Sequence, residues 1–174
     1  GVTKTESEKY VLSKKNTTAL RIATAFGMSP RLRLDLLLNN FVIKAIQDKK
    51  IDIYESFHRR SFIHVTDIAR AFCFAIQNLK IMQGSPFNVG SKKLNFTKME
   101  PAKIIQKHVN CEIIEGKGSD SDQRDYVIDF NRINKIGFDC EVLLDDGISE
   151  AVESLKYLIN TGEFEKFKNF YKNI

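Results

Sequence analysis

Arg59-Arg60-Ser61-Phe62-Ile63-His64-Val65-Thr66-Asp67-Ile68-Ala69-Arg70-Ala71-Phe72-Cys73-Phe74-Ala75-Ile76 is the segment around which the chain is organised. Phe62, Ile63 and Val65 form a short β-prone run, broken by the polar pair Thr66 and Asp67. From Ile68 the apolar spacing changes: Ile68, Ala71, Phe72, Ala75 and Leu79 recur at the i, i+3, i+4 intervals of one helical face. The expected unit is a strand, a tight turn and a helix. Thr66 is expected as the N-cap, its hydroxyl accepting an orphan backbone N–H, and Asp67 suits the positive helix end. The two arginines stand just before the strand, where a guanidinium fork suits a phosphate or carboxylate. A solvated rim beside an ordinary strand–helix unit fits the same pair equally well.

The rest of the chain bounds what this unit belongs to. It has 174 residues, 43% of them hydrophobic, which is one domain's length with enough apolar material for a core. The best candidate for a membrane span is broken by Asn39 and Asn40, and the opening residues carry no charged–apolar–small signal pattern. Cys73, Cys111 and Cys140 are odd in number and far apart, which argues against a disulfide framework or a zinc site. A cytoplasmic location is expected. The net charge of +5 is scattered among acidic residues, which fits an anionic ligand better than a nucleic-acid groove.

In chain order, strands and helices alternate. Gly1 to Leu12 has helix-forming composition with no cap or initiator, so a segment upstream is expected. Thr17 to Phe26 reads as one strand, ended by Gly27 and Pro30. Leu34 to Gln47 comes next as a helix, and Lys50 to Tyr54 as a short strand. Pro86 to Gly90 is another buried strand, and Asn95 or Thr97 is expected to cap the helix through Met99, Ile105 and Val109. Cys111 to Glu115 is a strand and Gly116 to Asp122 a polar loop. Val127 to Ile136 mixes a short strand and a short helix. Asp145 or Asp146 caps a last helix through Leu158, and Glu163 to Ile174 reads as a solvated helix. This alternation points to an α/β architecture with a partly parallel sheet.

Most constellations fail as chemistry. Asp120, Asp122 and Asp125 begin like a calcium loop, but the required glycine is absent and position twelve is Asn131. His58, His64 and His108 lack metal-ligand spacing, so no metal is expected, and His64 reads as a satisfied core residue. Arg60, Arg124 and Lys4 remain, and residue pattern alone stops at an α/β domain that binds an anion.

Six segments then carry a resemblance. The opening Gly1-Val2-Thr3-Lys4 resembles the residues directly after the catalytic tyrosine of extended short-chain dehydrogenase/reductases, with Lys4 as the lysine of Tyr-x-x-x-Lys. Leu20 to Gly27 is similar to that family's Leu-Arg strand ending in an aromatic–Gly pair. Arg60 to Ala69 is similar to the Arg-x-Phe-Ile-His-Val-x-Asp-Val-Ala signature of its NAD-dependent epimerase/dehydratase branch. Phe87-Asn88-Val89-Gly90, then Asp122-Gln123-Arg124 and Lys135-Ile136-Gly137-Phe138, fall in the family's order.

The resemblance implies the C-terminal portion of a Rossmann-like fold: an incomplete parallel sheet plus a small substrate-binding α/β part. It divides the single domain into a remnant of the Rossmann half, residues 1–50, and a mainly substrate-binding part, residues 51–174. It further implies an enzyme that uses NAD or NADP to epimerise or dehydrate a nucleotide-diphosphate sugar, and a homodimer when intact. Lys4 would hold the nicotinamide ribose and favour the tyrosine phenolate. Arg60 and Arg124 would clamp the diphosphate, while Thr24 and Asn39 would touch the substrate. An apolar face around Tyr10, Val11, Ile22 and Ala25 would be covered by the dinucleotide half. The chain departs from the pattern: the tyrosine and the Gly-x-x-Gly-x-x-Gly turn are absent. Thr24 replaces a common asparagine, and Glu55-Ser56-Phe57-His58 replaces a turn that usually contains glycine. By itself the chain is expected to be inactive and to bind no NAD tightly. A reductase of the same fold, a non-catalytic nucleotide-sugar module and an interaction domain are the alternatives.

Overall fold

The computed structural model describes residues 2–116 and 125–169. Helix α1 (Val2–Leu12) leads to β1 (Ala19–Ile22), β2 (Thr24–Phe26), α2 (Leu37–Gln47), β3 (Lys50–Ile53) and β4 (Arg59–His64). Then come α3 (Val65–Gln77), α4 (Leu79–Met82), β5 (Pro86–Val89), β6 (Asn95–Thr97), α5 (Met99–His108) and β7 (Glu112–Glu115). Helices α6 (Asn131–Asn134), α7 (Leu144–Asn160) and α8 (Phe164–Asn169) complete it. The architecture is α/β, as the alternating pattern implied. β1 pairs with β5, β2 with β4 and β3 with β7, all in parallel, and β6 adds to β4 antiparallel.

β4 divides the core. Strand side chains alternate between faces. Phe62 therefore joins one cluster, with Phe26, Phe41, Ile51, Ile105 and Leu155, while its neighbour Ile63 joins another, with Ala71, Phe87, Val89, Phe130 and Ile133. A strand buried on both faces reads as a continuous apolar run, which is why the Phe62–Val65 stretch stands out in the sequence.

Several boundaries differ from the sequence reading, each for a physical reason. The expected single strand over Thr17–Phe26 is two strands. The chain changes partners at Ala23, whose N–H still donates to Val89 O at 3.1 Å, so β1 runs beside β5 and β2 beside β4. The cap of α3 is His64, not Thr66. The strand continues through His64 (φ −71, ψ 146), and its Nδ1 accepts the Thr66 N–H at 3.3 Å. Asn95 and Thr97 belong to β6 and do not cap α5. Glu100 instead reaches back to accept from Thr97 N at 2.7 Å and Thr97 Oγ1 at 2.9 Å, as the acidic half of a capping box does. α7 is capped by Leu143, without a side-chain bond; Asp145 and Asp146 lie in its first turn, and Asp145 bonds His108 Nε2 at 3.0 Å. α2 begins at Leu37, three residues later than expected.

The Val127–Ile136 segment contains a helix but no strand. Its extended part is held by side chains: Asn88 Nδ2 donates to Asp129 O at 3.1 Å and Ile128 N donates to Ser61 Oγ at 3.4 Å. α8 is not fully solvated, since Phe164 is buried. α1 buries no residue. A bidentate bond from Arg21 to Glu8 (2.7 and 2.6 Å) holds it to β1, and Arg21 keeps the Glu8 carboxyl below its ordinary range. Tyr10 and Val11 are exposed, and Ile22 and Ala25 half-buried.

Candidate functional site

The β4 entry gathers charge. Arg59 and Arg60 are consecutive strand residues, not a pair ahead of the strand, so they point to opposite faces. Arg59 faces solvent, and Asp125 grips it three ways. The carboxylate accepts from Arg59 N at 2.9 Å, Nε at 3.1 Å and an Nη at 3.2 Å. These bonds, side chain first and backbone second, hold the Asp125 carboxyl at about 2. Arg60 is only 4% exposed. One Nη donates to Arg59 O at 2.9 Å, and the guanidinium lies 5.5 Å from the centroid of the Tyr126 ring. A buried guanidinium needs acceptors or an aromatic face, and Tyr126 supplies one.

Opposite this entry, β6 and the start of α5 bring up Lys98, which is 1% exposed. Its Nζ donates to Tyr54 O at 3.1 Å and lies 3.9 Å from Glu55 Oε2. Sequence reading did not single out Lys98, because a lysine next to a helix start looks like an ordinary solvated charge.

At its far end, β4 meets the turn after β2. His64 is fully buried between Gly27 and Gly147 and packs edge-on against Phe26, with centroids 5.2 Å apart. The core reading holds, but satisfaction is partial. Nδ1 caps α3, whereas Nε2 has no hydrogen-bond partner among the described residues and lies 3.5 Å from Glu150 Oε2. Asp67, in the first turn of α3, is also fully buried. It accepts from Glu141 N and Val142 N (3.0–3.2 Å) and pairs with Arg70.

The remaining expected site residues are dispersed. Thr24 is half-buried at the start of β2, opposite Phe62 in the register. Asn39 is buried on α2; its Oδ1 accepts Gly27 N at 3.3 Å and its Nδ2 donates to Arg33 O at 3.0 Å. Its amide therefore braces the β2–α2 loop. Lys4 is exposed on α1. Arg124 lies outside the described residues, and so do Asp120 and Asp122 of the rejected calcium pattern. Among the described residues no cluster of His, Cys, Asp or Glu could hold a metal ion. None of their helices is long and apolar enough to cross a membrane.

A dinucleotide needs a glycine-rich turn feeding a helix N-terminus. Here α2, α3, α5 and α7 open on Leu36, His64, Lys98 and Leu143. The described residues therefore do not supply the turn that cradles a dinucleotide.

Residues 1–90 match the NAD dependent epimerase/dehydratase family. The fold resembles that of MoeE5, solved with UDP-glucose and NAD, with a TM-score of 0.76 and 21% identity over 91% of this chain and 56% of that one. UDP-glucose 4-epimerase from Thermotoga maritima, solved with UDP-glucose, gives a TM-score of 0.75 and 20% identity over 91% and 53%. A GDP-6-OMe-4-keto-L-xylo-heptose reductase from C. jejuni gives 0.73 and 17% over 88% and 59%. At these identities the likeness establishes the fold, and the chain spans little more than half of each of these structures.

Proposed function

Because the chain belongs to the NAD-dependent epimerase/dehydratase family, we propose that it forms the substrate-binding half of an enzyme that epimerises or dehydrates a nucleotide-diphosphate sugar. The observation that carries this reading is Arg60, a guanidinium buried at the entry of β4 beside Tyr126, with a second arginine adjoining it. Such a cation suits the diphosphate, whose oxygens accept bidentate hydrogen bonds. Arg124 is assigned to the second phosphate, Thr24 and Asn39 to the substrate side of the β2 turn, and Lys4 to the nicotinamide ribose. Residues 1–50 are assigned to the dinucleotide half, residues 51–174 mainly to the substrate part, and the intact enzyme to a cytoplasmic homodimer. NAD or NADP would be held chiefly by residues beyond those described, and the chain alone is expected to be inactive.

The test is calorimetric titration of the intact enzyme and its Arg60→Ala and Arg124→Ala variants with UDP, GDP and NAD. Each substitution should weaken the preferred nucleoside diphosphate by about 1.5–3 kcal/mol, the range for hydrogen bonds to charged groups. NAD affinity should be unaffected. Equal losses for both ligand classes, or none for the diphosphate, would overturn the assignment. A reductase is the second reading, favoured by the fold shared with the heptose reductase. A steady-state assay of the intact enzyme separates the two, because a reductase consumes NAD(P)H and an epimerase or dehydratase regenerates its cofactor.

A further inference from the structure

The turn from Tyr54 to His58, which feeds β4, contains charges that the diphosphate reading leaves unused. Glu55 has φ +52, in the left-handed region that glycine, asparagine and aspartate enter far more readily than glutamate. A turn that needed only this backbone shape would be better served by glycine. The Glu55 carboxylate occupies a specific place. Oε2 lies 3.3 Å from His58 Nδ1 and 3.9 Å from Lys98 Nζ; both Oε2 and Nδ1 are closed off from solvent and neither makes a hydrogen bond among the described residues, so the contacts are electrostatic. A lysine as buried as Lys98 needs a nearby anion, and Glu55 is one within ion-pair distance.

The same segment is fastened on every side. Lys98 N donates to His58 O at 3.0 Å, Met99 N to Ser56 O at 3.1 Å, and Lys98 Nζ to Tyr54 O at 3.1 Å. Ser56 Oγ donates to Glu115 Oε2 at 2.8 Å, tying the turn to the end of β7. The next two residues in the chain are Arg59 and Arg60. The turn's geometry therefore sets where β4 begins and how both guanidinium groups leave it.

We propose that Glu55, His58 and Lys98 are positioning residues, a half-buried cluster of polar and charged side chains that locks the Tyr54–His58 turn and, by fixing the entry of β4, presents Arg60 to the diphosphate. The proposal rests on the reading of β4 as the anion-binding strand. It differs from a purely structural role in one respect: the carboxylate, and not the shape of the turn, is what matters.

Three variants of the 174-residue chain separate the two roles. Glu55→Gly and Glu55→Asn suit the left-handed backbone but remove the charge. Glu55→Asp suits it and keeps the charge. The readouts are the 15N chemical shifts of the Arg59 and Arg60 Nε–H groups, the UDP dissociation constant and the melting temperature. Glu55→Gly and Glu55→Asn should displace both arginine resonances and weaken UDP at least fivefold, while Glu55→Asp stays within twofold of the parent. Unchanged arginine resonances in Glu55→Gly, with a raised melting temperature, would overturn the proposal and leave the turn a matter of backbone geometry. If the parent chain fails to bind UDP, the diphosphate reading falls, and the arginine resonances alone decide whether the network positions them.

Discussion

A Cβ built on Gly27 would lie 2.2 Å from His64 Nε2, so the turn closing β2 and the last residue of β4 occupy adjoining space with no room for a methyl group. Gly27 also has φ +99, which an L side chain rarely adopts. Gly27→Ala therefore meets backbone strain and overpacking together. It should destabilise the chain by about 2–4 kcal/mol, combining the left-handed penalty with the usual cost of an inserted methyl. Urea unfolding measures this. A loss below ~1 kcal/mol would show that His64 can move aside.

Asp67 joins α3 to the Glu141–Val142 segment. With both backbone N–H groups and Arg70 as partners, its carboxylate is a buried charge with full compensation. Asp67→Ala leaves those N–H groups without an acceptor and Arg70 with one carboxylate partner fewer. A cost of about 3–5 kcal/mol is expected, the range for breaking a buried pair. Amides of residues 141 and 142 should also lose protection from hydrogen exchange before the rest of the chain does.

The Arg59–Asp125 contact should fail only in acid. Arg59 depresses the Asp125 carboxyl to about 2, below the value near 4 of an unfolded aspartate. A group depressed on folding contributes fully above its unfolded pKa and loses that contribution as pH falls through its folded value. The contact is therefore intact at neutral pH and weakens between about pH 4 and 2. A 13C titration of the Asp125 carboxyl should find its midpoint at about 2, and Arg59→Ala should return it towards 4. A midpoint near 4 in the parent chain would contradict the bonding described.

The three thiols should react very differently. Burial first, then Asp67 and Asp139, pushes the Cys140 thiol up to about 12, and burial raises that of Cys111. Cys73 is exposed on α3. Since the thiolate is the nucleophile, iodoacetamide at about pH 8 should label Cys73 first and leave Cys140 intact until the chain unfolds. Peptide mapping of a short reaction reads this directly, and early labelling of Cys140 would refute it.

Elements with a local signal can be read from the chain alone. Ile68, Ala71 and Ala75 sit one helical turn apart, so α3 is legible from spacing, and Phe62-Ile63 announces a strand buried on both faces. The motif running from Arg60 to Ala69 pointed to the family, because it joins those two periods with fixed polar residues at the joint. The tertiary structure decided what depends on partners distant in the chain. β2 and β6 have three residues each, too few to show a period of two, and exist because β4 offers them hydrogen bonds. His64 displaced Thr66 as the cap because pairing with β2 extends the strand to that residue. The buried charges were least legible. Asp67 finds its backbone donors 74 and 75 residues away, and Lys98 its carbonyl 44 residues away. A charged side chain carries no sign in its own neighbourhood of whether water or a distant partner will compensate it, so only the folded chain could distinguish Lys98 from a lysine on the surface.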